Sequence, residues 1–570
     1  MATNTIQLLM LVPMHISFES FLEPQHNSRN FKKANGIAYN SLSTDLPLGP
    51  ISISAYLKKF IDVDVTLLDF NAEINAMSEF PYNSFLECCE DLLRKSDASP
   101  DFVGVSSLFS PSFHNFLDCG RAAKEVFPNA IVLGGGNIPT NSYDHIYSTL
   151  NCKFFDGLCF GEGEKPMLNL LSAKDPMEYL ESSDSWITKS KSSAKFKPVH
   201  DYIEDLDEIP FFDYEICDFE KHASNQVAAS SFHNVEDKRG FHVMTSRGCP
   251  YLCTFCASHK THGRKMRYHS IERVREDLSK LVEEYDAGTI VFQDDHLMAD
   301  KDRVLAILDT VKSLGVESLY QNGLTLYALD RPMLEAFYDA GVRHLVLPVE
   351  SGSEKVLKHQ MRKPLKLRIS QRVAQDCRDL GIYTNSNVMI GMPGETKEDL
   401  EEGLRNLRTI RTNWYNIACA SPIVGSEMHD IAKDKNYITS DTLGADYRTA
   451  VIATEDFTAE YIQNYQYRMN LDLNFVNNND VALGEFDTAL LGFNNVARLR
   501  PDHAFAHFFA ALCYSQISEH RRAKSELDKY YAYCSNDFWL YWVDFFGLPK
   551  TKADFQGWTV PANQVEVAVS

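Results

Sequence analysis

Eleven short apolar runs, each followed by a helix-length segment, constrain this chain more than any other feature of its sequence. Five fall before residue 170: IQLLMLVP at 6–13, VDVTLLDF at 63–70, DFVGVSSL at 101–108, AIVLGGG at 130–136 and FFDGLCFGEGE at 154–164. Such a strand-and-helix rhythm predicts βαβ units, and runs that are apolar throughout predict parallel strands covered on both faces. Helices are expected between them, for example over 50–60 and 115–127, and glycines cluster where strands end. This part of the chain is therefore read as a Rossmann-like or flavodoxin-like domain. Six more runs, near 241–246, 289–294, 318–325, 344–350, 384–391 and 416–423, predict a partial or complete βα barrel. Between them Ser270 caps a segment with helically spaced Val274, Leu278, Leu281, Val282 and Tyr285, and Thr396 with Asp399 has the form of a capping box.

These elements divide the chain into residues 1–172, a connection over 173–235, a barrel over 236–435 and a helical region over 436–570. The connection contains a Ser- and Lys-rich stretch and then the acidic DYIEDLDEIPFFDYE. In the last region a 34-residue period relates Ala489 to Ala523 and Phe493 to Leu527, with Pro501, Ala510 and Tyr514 at tetratricopeptide-like positions. One to one and a half repeats predict a helical hairpin that packs on the barrel, its Phe505, Phe508, Phe509, Tyr530, Tyr531, Trp539, Tyr541 and Trp542 forming core. With 78 acidic against 56 basic residues the formal charge is −22, which disfavours nucleic-acid and anionic-membrane binding because both need cations against phosphate. No run approaches the roughly 18–20 apolar residues of a membrane span, so a cytoplasmic protein is expected.

The thirteen cysteines are scattered except for Cys88–Cys89 and one group in RGCPYLCTFCASHK. Cys249, Cys253 and Cys256, on a loop just after the first barrel strand, can wrap three thiolates around one inorganic centre. Iron–sulfur clusters are normally held by four cysteines, so a set of three leaves one iron open to a further ligand. The alternative is a zinc site completed by His259.

Cys-x3-Cys-x2-Cys after strand one, with Phe255 before the last cysteine, resembles the radical S-adenosylmethionine (SAM) superfamily. The resemblance extends to FQDDHLMADKDRV, PVESGSEKVL and NVMIGMPGETKEDL further along the barrel. It implies a [4Fe-4S] cluster on the three cysteines, with SAM contacted by Phe255, Glu350, Ser351, Ser353, Gly391, Pro393 and Gly394. Asp294 and Asp295 either bind SAM or cap the next helix, and His296 is expected to be a structural hydrogen-bonder. PLGPISISAYLKKF and the strand-end segments of the first domain resemble the cobalamin-binding domain that precedes many such barrels. Position implies cobalamin contacts at Ser106, Ser107, Gly134, Gly135, Gly136, Gly161 and Glu162, or else glycines that serve only tight turns. The Asp-x-His-x-x-Gly motif of some cobalamin domains is reduced here to His15 in PMHISF.

The resemblance implies methyl transfer to an unactivated carbon, or phosphorus, of a small molecule or lipid. One SAM would supply the methyl group by way of cobalamin and a second the 5′-deoxyadenosyl radical, with electrons from a donor such as flavodoxin or ferredoxin. The alternative with the same parts is cyclisation or rearrangement without net methyl transfer. Tyr251, Tyr320, Asn322, His359 and Gln360 lie on segments that could line the barrel mouth. A methylthiotransferase would need further clustered cysteines, and a non-catalytic sensor would need no SAM cleavage. The oligomeric state is not legible.

Overall fold

The computed structural model describes residues 5–23, 30–192, 196–223, 239–440, 442–444 and 449–551. Residues 224–235 of the expected connection and 552–570 of the helical region lie outside them. The first domain is built on strands β1 (Ile6–Val12), β2 (Val63–Asp69), β3 (Phe102–Ser106), β4 (Ile131–Gly135), β5 (Gly157–Cys159) and β6 (Trp186–Ile187). They form one sheet in the order β2-β1-β3-β4-β5-β6, parallel except for β6. Alternate residues of β1 feed two cores. Leu9 and Leu11 pack with Val103, Val105 and Phe116, whereas Leu8 and Met10 pack with Leu57, Leu133 and Trp186. Helices α1 (Leu48–Phe60), α2 (Phe113–Val126) and α3 (Asn137–Asp144) cover these faces. Part of the expected connection folds onto this domain: Trp186 is fully buried, its Nε1 donating to Pro166 O at 3.3 Å, and Leu206 and Ile209 pack on Tyr56.

The barrel strands are β7 (Arg239–Val243), β8 (Ala287–Phe292), β9 (Glu317–Tyr320), β10 (His344–Glu350), β11 (Tyr383–Ile390) and β12 (Trp414–Cys419). They pair in parallel as two three-stranded sheets, β9-β8-β7 and β10-β11-β12, over one continuous core. β9 stops at Tyr320 rather than 325 because the chain turns through Gly323, which has φ +75° and where a Cβ would stand 2.6 Å from Asp294 O. Ser270 caps α4 (Ile271–Tyr285), and the Thr396–Asp399 capping box opens α5 (Lys397–Leu407).

The C-terminal part comprises α6 (Ala459–Leu471), a helical turn Asp472–Val476, then α7 (Phe486–Leu499), α8 (Ala504–Gln516), α9 (His520–Tyr533) and α10 (Asp537–Phe546), with α8 packed against both α7 and α9. The aromatic residues of α8 to α10 are mainly core, although Tyr541 and Phe545 are exposed. Tyr383 and Trp414 of the barrel belong to the same core. A partial barrel has an open strand edge, and α6 with its following turn closes it. Asn474 Nδ2 donates to Tyr415 O at 2.9 Å, Tyr415 N donates to Asn474 Oδ1 at 2.7 Å, and Gln466 Nε2 donates to Ile417 O at 2.6 Å. Side-chain amides thus replace the missing neighbour of β12. Ion pairs Arg378–Asp480, Arg408–Asp472 and Arg468–Glu401 add to this junction. Among the described residues no helix is long and apolar enough to cross a membrane.

Candidate functional site

The cysteine loop closes on a narrow neck. Ser246–Arg247 pairs antiparallel with Arg267–Tyr268, and everything between them, including the three cysteines, forms the loop. Gly248 has φ +98°, and a Cβ there would stand 2.3 Å from Lys265 O, so the neck requires glycine. Cys249 N donates to Gly263 O and Cys256 N to Cys253 O. Thr254 ties the loop tip to the segment after β10, its N donating to Met361 O at 3.1 Å and its Oγ1 to Gln360 O at 2.6 Å. Cys249, Cys253 and Cys256 are half-buried, whereas the other ten cysteines are buried. Burial first, and the neighbouring Cys256 thiol second, push the Cys249 thiol up to about 12. Burial also raises Cys253, to about 11, against the opposing charge of Lys363. Deprotonating these thiols calls for a cation bound among them. Among the described residues no three His, Cys, Asp or Glu side chains, His259 included, converge as a single metal ion requires. An all-thiol set on one half-open loop suits an iron–sulfur cluster, whose irons take one cysteine each.

Three strand ends surround this loop. After β8, Asp295 Oδ2 is buried without a hydrogen-bond partner, and the Asp295 charge acts on Cys249. Asp294, one residue earlier, is turned away: its carboxylate accepts from Thr245 N, Thr245 Oγ1 and Ser246 Oγ inside the barrel, and the next helix is capped by Asp300 instead. At the end of β10 a bulge places Glu350 at φ +66°, a conformation that costs a non-glycine residue of order 1–3 kcal/mol and tends to persist at functional sites. Its Oε1 accepts from Lys363 Nζ at 2.8 Å, and its charge acts on Cys253. Ser351 Oγ accepts from Ser353 N, and Ser353 Oγ accepts from Val356 N, so both hydroxyls serve the following helical turn. After β11, Gly391 N and Met392 N donate to Glu395 Oε2, Pro393 is half-buried, and Gly394 O accepts from Gln360 Nε2 at 3.0 Å. Gln360 Oε1 is buried without a partner. Phe255 packs against the barrel core. His296 bonds Thr325 Oγ1 at 3.2 Å and meets the Tyr251 ring edge-on, and Tyr320 is core, stacked on Phe292.

In the first domain the expected contacts separate. Ser107 Oγ is bonded to Ser112 Oγ at 2.7 Å, and a Cβ on Gly136 (φ +101°) would strike Ser107 O. Gly134 faces Leu158 and Phe116, and Gly161 faces His200, so close packing accounts for these glycines. Gly135 faces nothing nearer than Cys159 Cβ at 3.9 Å, and Ser106 is half-buried. Next to them Leu108 and Phe109 are exposed at the carboxyl end of β3, a pair whose only sequence signal was an apolar run continuing past the strand. His15 lies at the end of β1 with its ring edge-on to Phe109 at 5.3 Å, and burial lowers its pKa.

The structure places Glu162, expected as a ligand contact, in a buried ionic junction between domains. Its carboxylate meets Arg247 Nη1 at 3.0 Å, Arg267 Nη1 at 2.9 Å and His262 Nδ1 at 2.9 Å. Arg247 Nη2 also reaches Glu164 Oε1 at 2.7 Å, which accepts from Ser52 Oγ as well. Burial alone would raise the Glu162 carboxyl, but Arg247, His262 and Arg267 outweigh it and hold the group well below the usual carboxylate range. Thr261 Oγ1 donates to Asn137 Oδ1 of α3 at 3.2 Å, a second tie. The carboxyl edge of the first sheet and the cysteine loop therefore adjoin.

This arrangement defines a class: a thiol-rich βα barrel joined at its mouth to a Rossmann-like ligand domain. Residues 243–407 match the Radical SAM superfamily and residues 40–171 the B12 binding domain. The chain therefore carries a radical SAM domain and a B12-binding domain, the pairing of cobalamin-dependent radical SAM enzymes, with an iron–sulfur cluster, SAM and cobalamin as its cofactors. It is 25% identical over 396 residues to an uncharacterized methyltransferase of Pyrococcus horikoshii, covering 70% of this chain and 80% of that one. It is 27% identical to the cytidylyl-2-hydroxyethylphosphonate methyltransferase of Streptomyces wedmorensis, with 67% and 77% covered. An anaerobic magnesium-protoporphyrin IX monomethyl ester cyclase of Rubrivivax gelatinosus is 26% identical, with 67% and 65% covered. Among solved structures, the radical SAM methyltransferase TsrM of Kitasatospora setae shares the fold at a TM-score of 0.55 and 13% identity, with 77% and 76% covered.

Proposed function

We propose that this protein transfers a methyl group to an unactivated carbon, or phosphorus, of a small molecule or lipid. The observation that carries the reading is the adjoining of the cysteine loop and the first sheet's carboxyl edge through Glu162, Arg247 and Arg267. When bound, the cluster with SAM supplies a hydrogen-abstracting radical and cobalamin supplies a transferable methyl group. The protein's part is to hold, orient and shield. Cys249, Cys253 and Cys256 hold the cluster. Asp295 and Glu350 are placed beside it to meet the charged amino-acid part of SAM, and Gln360, Gly391, Pro393 and Gly394 form the adjoining wall. Ser106, Gly135, Leu108 and Phe109 present a small polar and apolar face to cobalamin, with His15 beneath it. The relatives named as methyltransferases support the reading, and the named cyclase supports ring closure without methyl gain as the second.

The test is anaerobic reconstitution with iron, sulfide and hydroxocobalamin, followed by metal analysis of wild type and Cys253→Ala. About four irons and one cobalamin are expected, with the iron lost in the variant. Reduced holoprotein given SAM and substrate should then release S-adenosylhomocysteine. Deoxyadenosine without it would move the assignment to cyclisation, and zinc in place of iron would overturn the reading.

A further inference from the structure

The neck of the cysteine loop carries an electrostatic conflict. Arg247 and Arg267 are directly opposite each other across its two-residue ribbon. Like charges facing each other across strands destabilise the pairing, and here both guanidiniums are also buried, Arg247 at 5% and Arg267 at 4% exposure. Nothing within the ribbon offsets this. The offset comes from the other domain: Glu162 lies between the two guanidiniums, and Glu164 takes the outer nitrogen of Arg247. His262, on the same loop, adds a third contact to Glu162. The ribbon is therefore closed by carboxylates that follow β5, three and five residues beyond its last residue Cys159.

We propose that Glu162 is a positioning residue that couples the two cofactor sites, so that the cluster on the cysteine loop and cobalamin on the first sheet are bound cooperatively. This rests on the reading that the three cysteines hold the cluster and that the carboxyl edge of β3 and β4 holds cobalamin. Closing the neck around a cluster fixes Arg247 and Arg267, and these fix the loop after β5. Cobalamin then meets an edge already ordered. Thermodynamic linkage makes the effect reciprocal. Glu162 touches neither cofactor in this scheme and acts through Arg247, Arg267 and His262.

The experiment titrates hydroxocobalamin, followed by its absorption, into the anaerobic full-length chain with the cluster reconstituted and after the iron has been removed with chelator. Wild type should bind cobalamin about 5- to 100-fold more tightly with the cluster present, and in Glu162→Gln the two affinities should draw together to within about twofold. Glu164→Gln, which leaves both arginines on Glu162, should retain most of the difference. Equal affinities in the two states of wild type overturn the proposal without any variant having to fold. A Glu162→Gln protein that binds more weakly in both states but keeps the ratio also overturns it, since that is a purely structural role. If neither state binds cobalamin, the cobalamin reading fails and the coupling with it. Binding without a cluster-dependent difference sinks the coupling alone.

Discussion

Replacing Asn474 by alanine should open the free edge of the barrel. Asn474 is fully buried, and its amide meets both the N–H and the C=O of Tyr415, at 2.7 and 2.9 Å. The substitution leaves a buried donor and a buried acceptor unpaired, each costing about 1–3 kcal/mol before relaxation. With partial relaxation and some water entry the sum is on the order of 3 kcal/mol, or about a hundredfold in the local opening equilibrium. Because the chain has several domains, a single unfolding midpoint would blur this effect. Native-state hydrogen exchange read by mass spectrometry on peptides spanning 414–419 localises it. Exchange there should quicken about a hundredfold in Asn474→Ala, while Asn494→Ala, on the exposed side of α7, should leave it unchanged. Unaltered protection in Asn474→Ala would show that water or a neighbouring side chain satisfies β12, and the edge-closing argument would be wrong.

Glu395 gives a pH dependence. Burial raises its carboxyl to about 7, even though it accepts from Met392 N and Gly391 N. A carboxyl with a raised folded-state pKa favours the fold below its unfolded value near 4.5, and that contribution is lost as pH rises through about 7. Wild type should lose up to about 3 kcal/mol across this window and Glu395→Gln should not, as read from hydrogen exchange of peptides spanning 391–407 between pH 5 and 8, corrected for the intrinsic pH dependence of exchange. Arg378→Met would strand Asp480, which burial already lifts to about 6, and removing one partner of a buried pair costs about 3–5 kcal/mol. Limited proteolysis should then release α7 to α10 sooner than in wild type. Native alkylation of the iron-free chain by iodoacetamide should mark Cys249, Cys253 and Cys256 ahead of all others, since the remaining thiols are buried; rapid labelling of Cys88 or Cys159 would contradict the burial.

What could be read from sequence was what depends on near neighbours. The Thr396–Asp399 box and the Ser270 cap are local, and the apolar strands of both sheets announce themselves by length and composition. Trp186–Ile187 escaped because two residues in a polar stretch carry no period, although Trp186 is among the most deeply buried side chains. The ionic role of Glu162 was hidden for a different reason. Its position after a strand fits a ligand contact, and only the tertiary pairing with residues 85 and 105 positions away shows what it touches. Gly134 and Gly161 were ambiguous in kind: a glycine that admits a ligand and one that admits Phe116 or His200 look the same in sequence. Leu108 and Phe109 were missed since an exposed apolar pair is visible only once the fold has buried the rest.

The division of the barrel into two three-stranded sheets has a mechanical consequence. Among the described residues no backbone ladder joins β9 to β10. The sheet that bears the cysteine loop is bolted to the first domain through Arg247, and the sheet that bears Glu350 and Gly391 is bolted to the C-terminal helices through Asn474 and Asp480. The two sheets thus meet along a seam held by side-chain packing and by the Thr254 ties to Met361 and Gln360. A ligand gripped at once by the cysteines and by the ends of β10 and β11 lies across that seam like a suture, and breathing of the barrel would be expressed there as the mouth widening and closing.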